Sequence, residues 1–250
     1  MERTRAPDGD QRPAGVTTMN RILITGANRG LGLELVRLYA ARGDQVFAGS
    51  RSRERDTELT DLSARYPGQI DILSLEVTDT ASLDQCVQQV RDEVDALEML
   101  INNAAINDEG ETLRTFDAQK AAQQWTVNAV GQVLVAQRFL DLLKAGKDPK
   151  IINITSEAGS ISTMNHFRGY YYFGSKAAMN MFSRSMAWDP DTAGIITIAV
   201  HPGWVRTDMG GPDAHLSVTE SAEGILNVIA DLTPEDNGKF YTWEGKEYPW

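Results

Sequence analysis

Apolar residues recur along this chain in two alternating rhythms. Short, nearly unbroken apolar runs occupy residues 21–25 (RILIT), 45–50 (QVFAGS), 70–77 (IDILSLEV), 97–104 (LEMLINNA), 151–156 (IINITS) and 194–203 (GIITIAVHPG). Their length and near-uniform apolarity predict strands buried on both faces. Between them apolar side chains return every three or four residues, as in LGLELVRLYAARG, which Gly43 stops. That spacing predicts helices after the first run, around 54–65, over 78–94, over roughly 117–144 and over 170–189. Asp79 or a neighbouring hydroxyl is expected to cap the 78–94 helix. A further helix is expected over 217–232, with Ser217 and Glu220 at capping-box spacing. GKFYTW, residues 238–243, is expected to close the sheet. Strand and helix in strict alternation imply an α/β fold, a Rossmann-type doubly wound parallel sheet with helices on both faces.

The 250 residues suffice for one domain, and no linker divides them. Residues 1–18, rich in proline and glycine without apolar rhythm, read as a disordered leader before a single domain over 19–250. No apolar run approaches membrane-spanning length and the N-terminus is no signal peptide, so a cytoplasmic protein is expected. The formal net charge of −11 repels phosphate backbones and argues against nucleic acid or an anionic membrane as partner. The single cysteine, Cys86, excludes a disulfide scaffold and reads as a packing residue. His201 and His215 lack the company a metal site needs, so no metal is expected.

TGANRGLG follows the first strand and opens the first helix. Gly26, Gly30 and Gly32 there would let the backbone and unpaired helix N–H groups approach a pyrophosphate. The second strand ends in AGSR, so Ser50 and Arg51 stand where an acid for the ribose hydroxyls of NAD would be expected. That arrangement suits a 2′-phosphate, with Arg29 inside the glycine turn as a second cation. In YYYFGSK, Tyr172 and Lys176 are four residues apart, about 40° around a helix, and face one cleft. Tyr171 lies roughly 140° from Lys176 on the same helix, and Tyr170 precedes its first turn.

TGANRGLG, NNAA at 102–105, Asn128 in VNAVG, Ser156 in ITSEAGS, YFGSK at 172–176 and PGWVRTD at 202–208 together resemble the short-chain dehydrogenase/reductase family, over nearly all of 20–250. The interval from Ser156 to Tyr172 is longer than in many members, and resembles the subgroup containing the sniffer carbonyl reductases and the C-factor protein. The resemblance implies reduction of an aldehyde or ketone with NADP(H), or alternatively a cofactor-binding signalling protein with little turnover. It implies that Tyr172 is the acid and that Lys176 lowers its pKa and holds the nicotinamide ribose. Ser156 would hold the substrate oxygen, and Asn128 would distort its helix and pass protons outward through a water. For the cofactor it implies the glycine turn with Asn28 and Leu31, then Glu76 and Val77 at the adenine, Asn103 and Ala104 along the cleft, and Pro202, Gly203, Val205 and Thr207 at the nicotinamide. Residues of about 204–218 would form a short substrate loop. A homodimer or homotetramer formed through the helices over 117–144 and 170–188 is implied as well. The aromatic tail YTWEGKEYPW could dock on its own subunit or on a neighbour.

Overall fold

A computed structural model describes residues 19–51, 56–108 and 110–250. The expected leader and the start of the helix expected from residue 54 lie outside the described residues.

Apolar alternation within each strand sends neighbouring side chains to opposite faces. Ile22 and Ile24 of β1 (Arg21–Thr25) pack on one side and Leu23 on the other. The same division separates Val46 and Ala48 from Phe47 in β2 (Gln45–Ser50), and Met99 and Ile101 from Leu100 in β4 (Met99–Asn102). With β3 (Ile70–Ser74), β5 (Lys150–Ile154), β6 (Ile196–His201) and β7 (Phe240–Thr242), these form one seven-stranded sheet among the described residues. All its pairings are parallel, in the order β3-β2-β1-β4-β5-β6-β7.

One face is covered by α1 (Gly30–Ala41), α2 (Thr57–Arg65) and α7 (Val218–Ala230), through Leu35, Leu59 and Ile225. The other carries α3 (Thr80–Glu93), α5 (Gly131–Ala145) and α6 (Tyr171–Trp188), through Leu83, Phe139 and Met179. Asp79 accepts from Ala81 N at the start of α3, and Ser217 and Glu220 form the full capping box on α7. Cys86 is a buried packing residue of α3.

The long helix expected over 117–144 is interrupted. It comprises α4 (Ala118–Trp125), a π-helical turn at Thr126–Val130, and α5. Asn128 lies at the centre of the wide turn, which rotates its side chain inward. The strand order reverses between β1 and β4, and the crevice beyond the carboxyl ends of those strands is where this topology places a ligand.

Candidate active site

The glycine turn between β1 and α1 is shaped by contacts that leave no room for side chains. Gly26 and Gly30 have φ of 63° and 53°, a region that strains other residues. A Cβ on Gly26 would lie 2.8 Å from Ala104 Cα, and one on Gly32 would lie 2.2 Å from Gly26 O. Asn103, just beyond β4, donates from Nδ2 to the carbonyls of Thr25 and Gly26, at 3.0 Å each. Thr25 Oγ1 accepts from the N–H groups of Asn103 and Ala104. No side chain caps α1, and its first turn contains no acid, so its N-terminal field remains available to an anion. These features fit a dinucleotide pyrophosphate.

Other expected cofactor residues are spread around this turn. Ser50 is buried at the end of β2, while the side chain of Arg51 is exposed and lies 4.0 Å from Glu76. Glu76 accepts from Thr78 N and Oγ1, and buried Val77 packs where a Cβ on Gly131 would approach within 2.8 Å. Asn28 donates to buried Asp56, and Leu31 points into the core. Arg29 bridges to Asp208 at 2.8 Å, which turns it toward the loop after β6 and away from the end of β2. In that loop Gly203 has φ of 83°, Val205 pairs with Leu216, and the Thr207 methyl lies 3.2 Å from where a Cβ on Gly30 would stand. Pro202 O accepts from Ser221 Oγ. The 204–218 loop therefore leans on the glycine turn.

The three tyrosines have different environments. Tyr170 is half exposed and packs edge-on against Phe116. Tyr171 is buried and its hydroxyl accepts from Asp117 N, which makes it a tie between α6 and α4. Tyr172 is half-buried, with the Lys176 ammonium 5.6 Å from its ring centre. Lys176 is buried and donates to Ile154 O at 3.0 Å.

Ser156 lies two residues beyond β5, not at its end, in extended backbone that opens a short 3-10 turn. Its Oγ accepts from Ala158 N, so its own proton remains for another acceptor. A Cβ on Gly159 would stand 2.6 Å from Lys176 O, so this glycine lets the Ser156 turn seat against α6 beside Lys176. Thr155 is fully buried, as expected for the residue facing away. Asn128 accepts from Ile106 N and donates to Ile106 O and to Ser175 Oγ, joining the loop after β4 to the helix of Tyr172.

Burial pulls the Lys176 ammonium from 10.5 down to about 8. The unfolded chain therefore holds more protons than the folded one between those values, and stability rises as pH increases through that window. From pH 8 to 9 the wild type should gain on Lys176→Met by up to about 1.4 kcal/mol per unit, read from urea unfolding. Parallel pH profiles for the two proteins would refute the buried-cation account. Above about pH 9 the Cys86 thiol, pushed up to about 12 by burial, acts in the opposite direction.

Sequence patterns did not signal the roles of Thr25, Asp56, Glu157 or His201. His201 ends β6, is largely buried, and holds Nε2 3.8 Å from Glu157, which also lies 3.6 Å from Arg168 of the long loop. Burial holds His201 below its ordinary value, the Lys176 ammonium adds to that, and Glu157 opposes it. The tail folds back on its own chain: Trp250 O accepts from Ser160 Oγ and from Ser162 N and Oγ, and its ring stacks on Phe240. Among the described residues no group of three or more His, Cys, Asp or Glu is placed to hold a metal, and no helix is long and apolar enough to cross a membrane.

A doubly wound sheet with a glycine-lined crevice, a Tyr and Lys pair on one helix and a serine hydroxyl beside them defines a dinucleotide-binding oxidoreductase class. The chain belongs to the short chain dehydrogenase family, whose sequence profile matches residues 20–215. The NADPH-bound carbonyl reductase from chicken fatty liver is 36% identical with a TM-score of 0.86, the match covering 93% of this chain and 99% of that one. The carbonyl reductase Sniffer of D. melanogaster is 33% identical with a TM-score of 0.87, covering 93% of this chain and 100% of that one. The C-signal of Myxococcus xanthus is 40% identical over 154 residues, 62% of this chain and 93% of that protein.

Proposed function

We propose that this protein reduces an aldehyde or ketone to an alcohol with NADPH. The observation that supports this is the close approach of Gly159, in the turn that Ser156 opens, to the Lys176 carbonyl, on the helix where Tyr172 and Lys176 stand one turn apart. The reduced nicotinamide, when bound, supplies the hydride. Ser156 donates its hydroxyl proton as a hydrogen bond to the carbonyl oxygen and stabilises the charge that develops there. Tyr172 transfers its phenolic proton to that oxygen, and the ammonium of Lys176 stabilises the phenolate left behind. Asn128 holds the loop after β4 against α6, which keeps the pair facing the cleft.

The preference for NADPH over NADH rests on the end of β2, where Ser50 replaces an acid and Arg51 extends into solvent. Arg29 can add a second cation once it leaves Asp208. The NADPH-bound carbonyl reductase from chicken fatty liver supports the same cofactor here. The protein acts in the cytoplasm as a homodimer or homotetramer, and exposed Trp125, Met181 and Trp188 on α4 and α6 supply apolar surface for assembly. The similarity to a protein named C-signal favours a second role, cofactor-dependent signalling with little turnover.

Titration of the purified protein by cofactor fluorescence tests these roles. NADPH should bind at least tenfold more tightly than NADH, and Arg51→Ala should weaken NADPH by roughly tenfold while leaving NADH unchanged. Equal affinities for the two cofactors in the wild type would refute the 2′-phosphate site. Tight NADPH binding without oxidation of NADPH by a panel of aldehydes and ketones would favour the signalling role.

A further inference from the structure

The catalytic helix begins without a cap of its own. Tyr170 occupies the N-cap position of α6, and its side chain makes no capping bond. A helix start leaves N–H groups unpaired, and aligned peptide dipoles make it locally positive. Here the acceptor comes from far upstream. One carboxylate oxygen of Glu111, in the loop between β4 and α4, accepts from the N–H groups of both Tyr170 and Tyr171, the latter at 2.7 Å.

The contact is built to persist. Glu111 is 8% exposed. Gly169 has φ of 118°, and a Cβ there would lie 3.2 Å from the same carboxylate oxygen, so a glycine is needed for the chain to pass. Tyr171 ties the loop down at two further points: its hydroxyl accepts from Asp117 N, and its carbonyl accepts from Trp125 Nε1. The second oxygen of Glu111 is buried and has no hydrogen-bond partner among the described residues. Desolvation pushes its pKa up, but the amide bonds from Tyr171, from Tyr170 and from its own N–H outweigh that and hold it below the ordinary value. Among the described residues, Asp108 is the charged group that acts on it, and Arg168, next to Gly169, is turned to Glu157 at 3.6 Å. Asp108 lies on the same loop and is paired with Lys120 of α4 at 3.0 Å.

We infer that Glu111 is a positioning residue for the reaction: its buried carboxylate fixes the first turn of α6 and offsets the positive field of that helix end at Tyr172, the next residue. This rests on Tyr172 being the acid. Without the charge the helix terminus would favour the phenolate more strongly, and Tyr172 would ionise at lower pH.

The test follows Tyr172 ionisation by tyrosinate absorbance, as the difference between each protein and its own Tyr172→Phe counterpart, so that no substrate is required. Glu111→Gln keeps an oxygen acceptor and loses the charge. It should lower the Tyr172 midpoint by about 0.5 to 1 pH unit. The alkaline limb of kcat/KM should move down by the same amount. Glu111→Asp retains the charge and should keep the wild-type midpoint, even if kcat falls. An unchanged midpoint in Glu111→Gln would overturn the inference, whatever happens to stability, and so would equal shifts in the two variants. If Tyr172→Phe proved fully active, the proposed reaction would fail while the absorbance shift remained measurable, so the two failures are distinct.

Discussion

Tyr172→Phe should reduce carbonyl turnover by roughly a thousandfold, the scale on which a positioned proton donor contributes. The substitution keeps the ring that faces the Lys176 ammonium at 5.6 Å and removes only the hydroxyl. Lys176 retains its bond to Ile154 O, and the glycine turn is untouched, so NADPH affinity should stay within about twofold. Single-turnover mixing with saturating NADPH separates the two quantities. The neighbouring Tyr171→Phe provides the contrast, since its hydroxyl serves Asp117 N and not the cleft. It should cost about 1 kcal/mol of stability and spare the chemistry. Wild-type turnover in Tyr172→Phe would remove the tyrosine from the mechanism.

Gly32→Ala should abolish useful cofactor binding by a different route. The new Cβ would stand 2.2 Å from Gly26 O and 2.6 Å from Asn103 Nδ2. The first contact is with backbone, which cannot swing away, and the second would displace the amide that holds the carbonyls of Thr25 and Gly26. Overpacking of this kind costs about 1 to 3 kcal/mol. Because the strain falls on the turn that must approach the pyrophosphate, NADPH affinity should drop about a hundredfold. Fluorescence titration beside a thermal melt would show it. An unaltered dissociation constant would mean that the turn is not the pyrophosphate site.

The two substitutions probe features with different origins. The glycine spacing in TGANRGLG and the four-residue interval from Tyr172 to Lys176 belong to local geometry. A turn that needs positive φ selects glycine, and a helix returns to the same face after about four residues. The same local rules made the β1 to β7 alternation, the Asp79 cap and the Ser217 capping box readable in advance. Periodicity alone missed two features, the first of which only the family resemblance implied. The helix containing Asn128 widens into a π-helical turn, and Ser156 lies beyond the strand it was expected to end. In each case a tertiary contact outweighed the local pattern: the pair of hydrogen bonds between Asn128 and Ile106 in one, and the packing of Gly159 on Lys176 in the other.

Sequence alone thus determined the layers of this protein, the location of its glycine turn and which of three tyrosines shares a helix face with Lys176, because each follows from spacings shorter than a helix. Only the tertiary structure decided that Glu111 caps α6 from 59 residues upstream, that Arg29 pairs with Asp208, and that Trp250 closes on the loop after Ser156. Those partners meet because the sheet order brings the ends of β1, β4, β5 and β6 to one edge. The direction of a loop side chain depends on what that edge presents to it, and no periodicity in the intervening residues records the meeting.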